Sequence, residues 1–309
     1  MRRAIALLAL GIPVSLLATT LNSVKDERAV GSAHMTKSLM GWGDLYGLPK
    51  VAPDRSIAYG TDPLQVVDLW LPKGSGPHPV VIMIHGGCWQ TEIAQRGIMN
   101  WIADDLRTAG VAVWNVEYRG VDRGGGYPGT YMDVGAAADL QRSKAGEYGL
   151  DMRHIVAIGH SAGGHLALWL AARPSLASSS AIRGSDPVSI DVAISQGGLP
   201  DLDAAMKDAG GACGIDAPRL MAGGHLDETS LPAMPFGKAR QILFNNDRDT
   251  IAPPAFATAY AAAMKARGVA VETVTTPDEG HVELVAPSSE SWRKQRAMLL
   301  SVLGVGPAQ

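Results

Sequence analysis

Beyond residue 60, short apolar runs alternate with longer stretches of helical spacing. Residues 65–71 alternate partly between apolar and polar and stop at Pro72, as a strand does. Residues 80–84 (VVIMI) and 111–116 (VAVWNV) are nearly continuous apolar runs of strand length, the pattern of strands covered on both faces. Residues 154–158, 190–195, 241–245 and 269–275 read as further strands. Between them, residues 97–109, 131–148, 164–172, 253–267 and 289–303 carry helical periodicity. Gly110, Gly149 and Gly268 stand just past three of these helices, where a left-handed residue closes the last turn, and Pro253 opens one. The alternation predicts an α/β fold with a mostly parallel central sheet flanked by helices. Sites in such sheets lie beyond the carboxyl ends of the strands.

Two stretches break the pattern. Residues 197–240 hold short helical pieces interrupted by glycine pairs, and are expected to form a small cap or lid. Residues 22–60 read as an irregular N-terminal arm. The main domain is expected over residues 61–305. At the start, Arg2 and Arg3 precede an uncharged segment that lasts to Leu21, before Lys25, Asp26, Glu27 and Arg28 restore charge. Residues 1–21 therefore read as a signal peptide or N-terminal anchor, and the protein is expected to be exported, with the membrane met only through that segment.

Composition narrows the classes. With 309 residues, 46% of them hydrophobic, the chain suits one large domain plus a tail. A net charge of -3 gives no electrostatic reason for a nucleic-acid partner. The two cysteines, Cys88 and Cys213, exclude a disulfide scaffold and a cysteine-rich zinc site, and their spacing leaves open whether they pair. Gly124-Gly125-Gly126 follows no strand directly and lacks the Lys-Ser/Thr of a phosphate cradle. No metal or cofactor is expected.

The chemistry is carried by Gly159-His160-Ser161-Ala162-Gly163, set between an apolar strand and a helix. Strand, G-x-S-x-G and helix make a nucleophile elbow, which lifts the serine hydroxyl above the sheet. A serine needs an adjacent base, and in this layout acid and histidine follow it in the chain. Five of the eight histidines precede Ser161. His165 sits on the elbow helix and His225 in the irregular region, which leaves His281, after the last strand, as the base. Asp247 and Asp249 both follow the strand at 241–245. Asp249 is preferred as the acid that orients the imidazole, with Asp247 a turn residue. The Ala162 amide and one from His85-Gly86-Gly87-Cys88-Trp89, Gly87 or Cys88, are expected to form the oxyanion hole. His85 reads as structural, and Trp89 as either pocket wall, where it is a candidate substrate contact, or plain core. Glu117-Tyr118-Arg119 follows a strand end where it could contact substrate, but a buried pair of Glu117 and Arg119 is the commoner arrangement.

These motifs together resemble an α/β-hydrolase over roughly residues 60 to 305. His85-Gly86-Gly87-Cys88-Trp89 resembles the H-G-G-x-W loop of kynurenine formamidase-like enzymes and of the feruloyl/acetylxylan esterase-like group. Segments 125–130, with Asp133, and 159–165 resemble the same superfamily. The resemblance implies Ser161, Asp249 and His281 as the triad of a cofactor-independent serine hydrolase acting on small to medium carboxylic esters, with amide hydrolysis (arylformamidase or exopeptidase) as the alternative. A hydrolase fold used only for binding is the remote one. Cys88 replaces the third glycine of the hormone-sensitive-lipase loop and argues against that branch.

Overall fold

The computed structural model describes residues 37–306 other than Ala209, so the leader expected at residues 1–21 lies outside the described residues. In chain order the elements are helix α1 (Trp42–Tyr46), strands β1 (Arg55–Ala58), β2 (Val66–Trp70) and β3 (His78–Ile84), α2 (Asn100–Thr108), β4 (Ala112–Val116), α3 (Gly129–Tyr148), β5 (Leu150–His160), α4 (Ala162–Ala172) and β6 (Val192–Gln196). There follow α5 (Leu202–Lys207), α6 (Asp216–Ala222), α7 (Leu226–Thr229), β7 (Arg240–Asn246), α8 (Pro254–Ala266), β8 (Val271–Thr276) and α9 (Glu290–Val302). Among the described helices none is long and apolar enough to cross a membrane.

The eight strands form one sheet in the order β1-β2-β4-β3-β5-β6-β7-β8. β1 and β2 pair antiparallel, β2 pairs antiparallel with β4, and every later pairing is parallel. The continuous apolar runs reflect burial on both faces. Val80, Ile82 and Ile84 of β3 join the core beneath α3, α4 and α8, while Val81 and Met83 join the core beneath α2 and α9. Each such fully buried side chain contributes roughly 1.5–3 kcal/mol.

The chain leaves β3 for β4 on one side and reaches β5 on the other. This reversal opens a crevice beyond the carboxyl ends of β3 and β5, where ligands bind in open α/β sheets. The residues there are His85-Gly86-Gly87-Cys88 and Ser161.

Residues 22–60 are not wholly irregular, as their described part holds α1 and β1. β1 escaped the sequence pattern because only Ile57 of its four residues is even half-buried, and main-chain pairing with β2 places it. Residues 197–239, between β6 and β7, form α5, α6 and α7, matching the broken pattern there.

Candidate active site

The site starts from glycines. A Cβ on Gly163 would lie 2.1 Å from the Ile84 carbonyl oxygen, and one on Gly159 would lie 1.9 Å from the Gly163 carbonyl oxygen. Neither approach tolerates a side chain, so the turn between β5 and α4 closes only with glycine at both places. Ser161 sits at its apex with φ 53° and ψ -119°. Such a conformation costs a non-glycine residue about 1–3 kcal/mol and persists only when its surroundings impose it. Here the Ser161 amide donates to Gln196 O at 2.8 Å, tying the elbow to β6.

Asp249 follows β7 and is buried, whereas Asp247 is exposed in the turn before it. Asp249 Oδ1 accepts from the amides of Ile251 (2.8 Å) and Ala252 (2.9 Å). Its Oδ2 accepts from His281 Nδ1 at 2.7 Å. Nδ1 therefore carries the imidazole proton and Nε2 keeps a lone pair. Gly197, which the sequence reading passed over, makes room for this pair. A Cβ there would stand 3.0 Å from Asp249 Oδ2 and 3.4 Å from His281 Nδ1.

Ser161 and His281 line one cavity of about 350 Å³, together with Gly87, Cys88, His160 and Trp42. Among the described residues no hydrogen bond joins Ser161 Oγ to His281; such contacts are often long in unliganded sites. A larger depression of about 540 Å³ beside Asp54, Lys73 and Arg107 opens at the opposite end of the sheet, near Gly110 before β4. Its lining includes no serine, cysteine or histidine.

The loop of residues 85–89 is itself held in an unusual shape. Gly87, Cys88 and Trp89 have φ of 106°, 52° and 56° in succession. A disulfide joins Cys88 to Cys213, on the loop between α5 and α6, which settles the pairing that spacing left open. The Gly87, Cys88 and Ala162 amides have no protein acceptor among the described residues. Gly86 runs so close to the elbow that a Cβ on it would fall 3.0 Å from Ser161 Cβ.

Three sequence expectations change or sharpen. Trp89, a candidate substrate contact, does not line the cavity: it is fully buried and edge-on to His165 at 5.6 Å. Glu117 pairs not with Arg119 but with His85, whose Nε2 donates to it at 2.7 Å, and with Arg96. Arg119 instead forks onto Asp133. Burial pushes the Glu117 carboxyl up, but His85 and Arg96 outweigh it and hold the group below its ordinary value. His85 is structural, stacked on Tyr118 at 4.3 Å.

His160 was missed as part of the site. It is fully buried, tilted against His281 with ring centroids 4.4 Å apart, and its Nε2 donates to His281 O at 3.1 Å. Only the residue type next to the serine hinted at this. Burial, reinforced by His281, drives its pKa well below the usual value, and burial lowers that of His165 to about 4. Each ring donates Nε2–H to a carbonyl and leaves Nδ1 buried without a partner, so a second proton has nowhere to bond.

Their folded pKa values lie below the unfolded value near 6.5, so the unfolded chain binds more protons at acid pH. Stability is full above about 6.5 and falls as the pH drops toward 4. His165 alone should remove about 2 kcal/mol between pH 7.5 and pH 5. Urea midpoints at those two pH values should show the loss, and His165→Gln, which keeps a donor for Thr229 O, should show a flatter pH dependence. An identical slope in both proteins would contradict the assignment.

The family model BD-FAE matches residues 67–228, which hold the loop of residues 85–89 and the elbow. Esterase LipC of Mycobacterium tuberculosis is 33% identical over 115 residues, covering 36% of this chain and 28% of that protein. Kynurenine formamidase avaC of Aspergillus versicolor is 33% identical over 142 residues, covering 42% of this chain and 48% of that one. The matches thus span less than half the length of these curated relatives. Among solved structures, esterase B from Lactobacillus rhamnosis superposes with a TM-score of 0.70 at 18% identity, over 85% of this chain and 90% of that one. That likeness carries the α/β-hydrolase fold, and with more than half of the sequence under the family model, this chain belongs to the BD-FAE family of α/β-hydrolases.

Proposed function

We propose that this protein is a serine carboxylesterase that cleaves small to medium carboxylic esters through an acyl-enzyme on Ser161. The observation that carries the reading is the Asp249–His281 hydrogen bond in the cavity that also presents Ser161 from its elbow. His281 Nε2 takes the Ser161 proton as Oγ attacks the ester carbonyl. The oxyanion is received by the Ala162 amide and by that of Gly87 or Cys88, at the start of α4 where the helix dipole favours negative charge. The imidazolium, stabilised by Asp249, returns the proton to the leaving alcohol. Water then repeats the sequence on the acyl-enzyme and frees the acid. No metal or cofactor has a part in these steps.

Amide hydrolysis on the same triad is the second reading, supported by the likeness to a kynurenine formamidase. Comparing kcat/KM on p-nitrophenyl acetate and N-formylkynurenine separates the two. The ester should be preferred by at least about tenfold; a preference for the formamide would replace the esterase reading with the second. Export is part of the proposal. The Cys88–Cys213 disulfide supports it, because disulfides persist mainly in oxidising compartments.

A further inference from the structure

Seven large apolar side chains are exposed among the described residues, and four of them, Trp42, Tyr46, Ile93 and Ile251, line the cavity that presents Ser161. Scattered exposed apolar residues are ordinary; a cluster around one opening marks a binding surface. The four come from three places: Trp42 and Tyr46 from α1, Ile93 from the loop after Trp89, and Ile251 from the turn after Asp249. No Lys or Arg lines this cavity among the described residues. Of its two histidines, His281 is bonded to Asp249 and His160 is buried.

Trp42 is fixed there by the segment that carries it. Lys37 Nζ donates to Glu279 Oε1 at 3.1 Å, and Arg248 Nη1 donates to Lys37 O at 2.6 Å. Glu283, itself buried, bridges that segment and the loop bearing His281. Its Oε1 accepts from the Met40 amide at 2.6 Å and its Oε2 from the Gly280 amide at 3.1 Å. Leu45 is fully buried and plugs α1 into the core. The Trp42 ring meets His160 edge-on at 5.9 Å and Tyr46 at 6.4 Å. Residues 37–46 are thus an outer wall of the catalytic cavity.

We infer that Trp42 is a specificity-determining residue of this site: with Tyr46, Ile93 and Ile251 it forms a subsite for an uncharged apolar group several carbons long on the ester, and disfavours an anionic one. The inference rests on the esterase reading. An apolar chain would cover these side chains and release their hydration, whereas a carboxylate would lose water and find no cation.

The test uses two ester series. One is p-nitrophenyl acetate, butyrate, hexanoate and monosuccinate, which varies the acyl side; the other is ethyl, butyl and hexyl acetate, which varies the alcohol. In at least one series kcat/KM should rise about tenfold or more with chain length, and the succinate should fall below the butyrate. Trp42→Ala should lower kcat/KM on the long ester by about 10- to 100-fold, mostly through KM, and flatten the series, while Trp42→Phe recovers most of it. Ile93→Lys should raise the succinate relative to the butyrate. Met132→Ala, an exposed apolar residue on α3 outside the cavity wall, should change neither series. An unchanged chain-length preference in Trp42→Ala, no preference in the wild type, or a preferred succinate would overturn the subsite. Labelling of Ser161 by a small fluorophosphonate is read in the same proteins. Its absence from the wild type would overturn the esterase reading itself, so the two failures are distinguishable.

Discussion

Ser161→Ala should lose at least about 10⁴-fold in kcat on p-nitrophenyl acetate and form no adduct with a fluorophosphonate. The alanine removes only Oγ. It keeps a Cβ at a position of φ 53°, so the backbone demand is the same and the elbow should fold as before. The Asp249–His281 pair and the amides around the oxyanion position remain, so a small residual activity from binding and oxyanion stabilisation is expected rather than none. Kinetics together with intact mass before and after the phosphonate give the readout, and a far-UV spectrum matching the wild type excludes unfolding. A correctly folded Ser161→Ala protein with wild-type turnover would mean that Ser161 is not the nucleophile.

That a single substitution can be chosen so sharply reflects how strongly the elbow writes itself into the sequence. Gly159 and Gly163 must be glycine because backbone oxygens crowd both positions, and the residue between them is left at the apex with positive φ. Short buried strands were equally legible, since a strand covered on both faces has no polar positions to dilute its run. The order of Ser161, Asp249 and His281 was legible because they follow β5, β7 and β8 in turn. Asp249 separated from Asp247 by its distance from the following proline, and the structure separates them by burial.

What stayed hidden depends on contacts between distant segments. α1 has five residues and β1 four, too few to show a period, yet Trp42 and Tyr46 reach the cavity because an ion pair and hydrogen bonds tie their segment to residues more than two hundred positions away. Trp89 was hard to place because a tryptophan at the end of the loop of residues 85–89 fits either wall or core; its packing in the core is visible only in three dimensions. The partner of Glu117 was misassigned for a related reason. Arg119 lies two residues along and looked sufficient, but Asp133 on α3 claims it, while His85 and Arg96 converge on Glu117 from other loops.

Asp249→Asn should reduce kcat at pH 7 by about 10⁴-fold while leaving the fold intact, and the reason is a tautomer rather than a lost charge alone. Oδ1 of Asp249 is held by two backbone N–H groups, from Ile251 and Ala252. In the asparagine these donors select the carbonyl oxygen for that position, so the amide nitrogen must take the place of Oδ2, facing His281. An NH₂ donates, so His281 Nδ1 must become the acceptor and the ring proton must move to Nε2. A protonated Nε2 facing Ser161 cannot remove the hydroxyl proton, and the general base is lost although every heavy atom stays near its place. Phosphonate labelling of Ser161 should slow in parallel, because it draws on the same base, whereas the urea midpoint should move far less than the rate. Retention of kcat within about tenfold of wild type would show that His281 does not depend on Asp249 for its proton position. Asp247→Asn, made at the exposed turn position two residues earlier, should leave turnover unchanged and serves as the internal control.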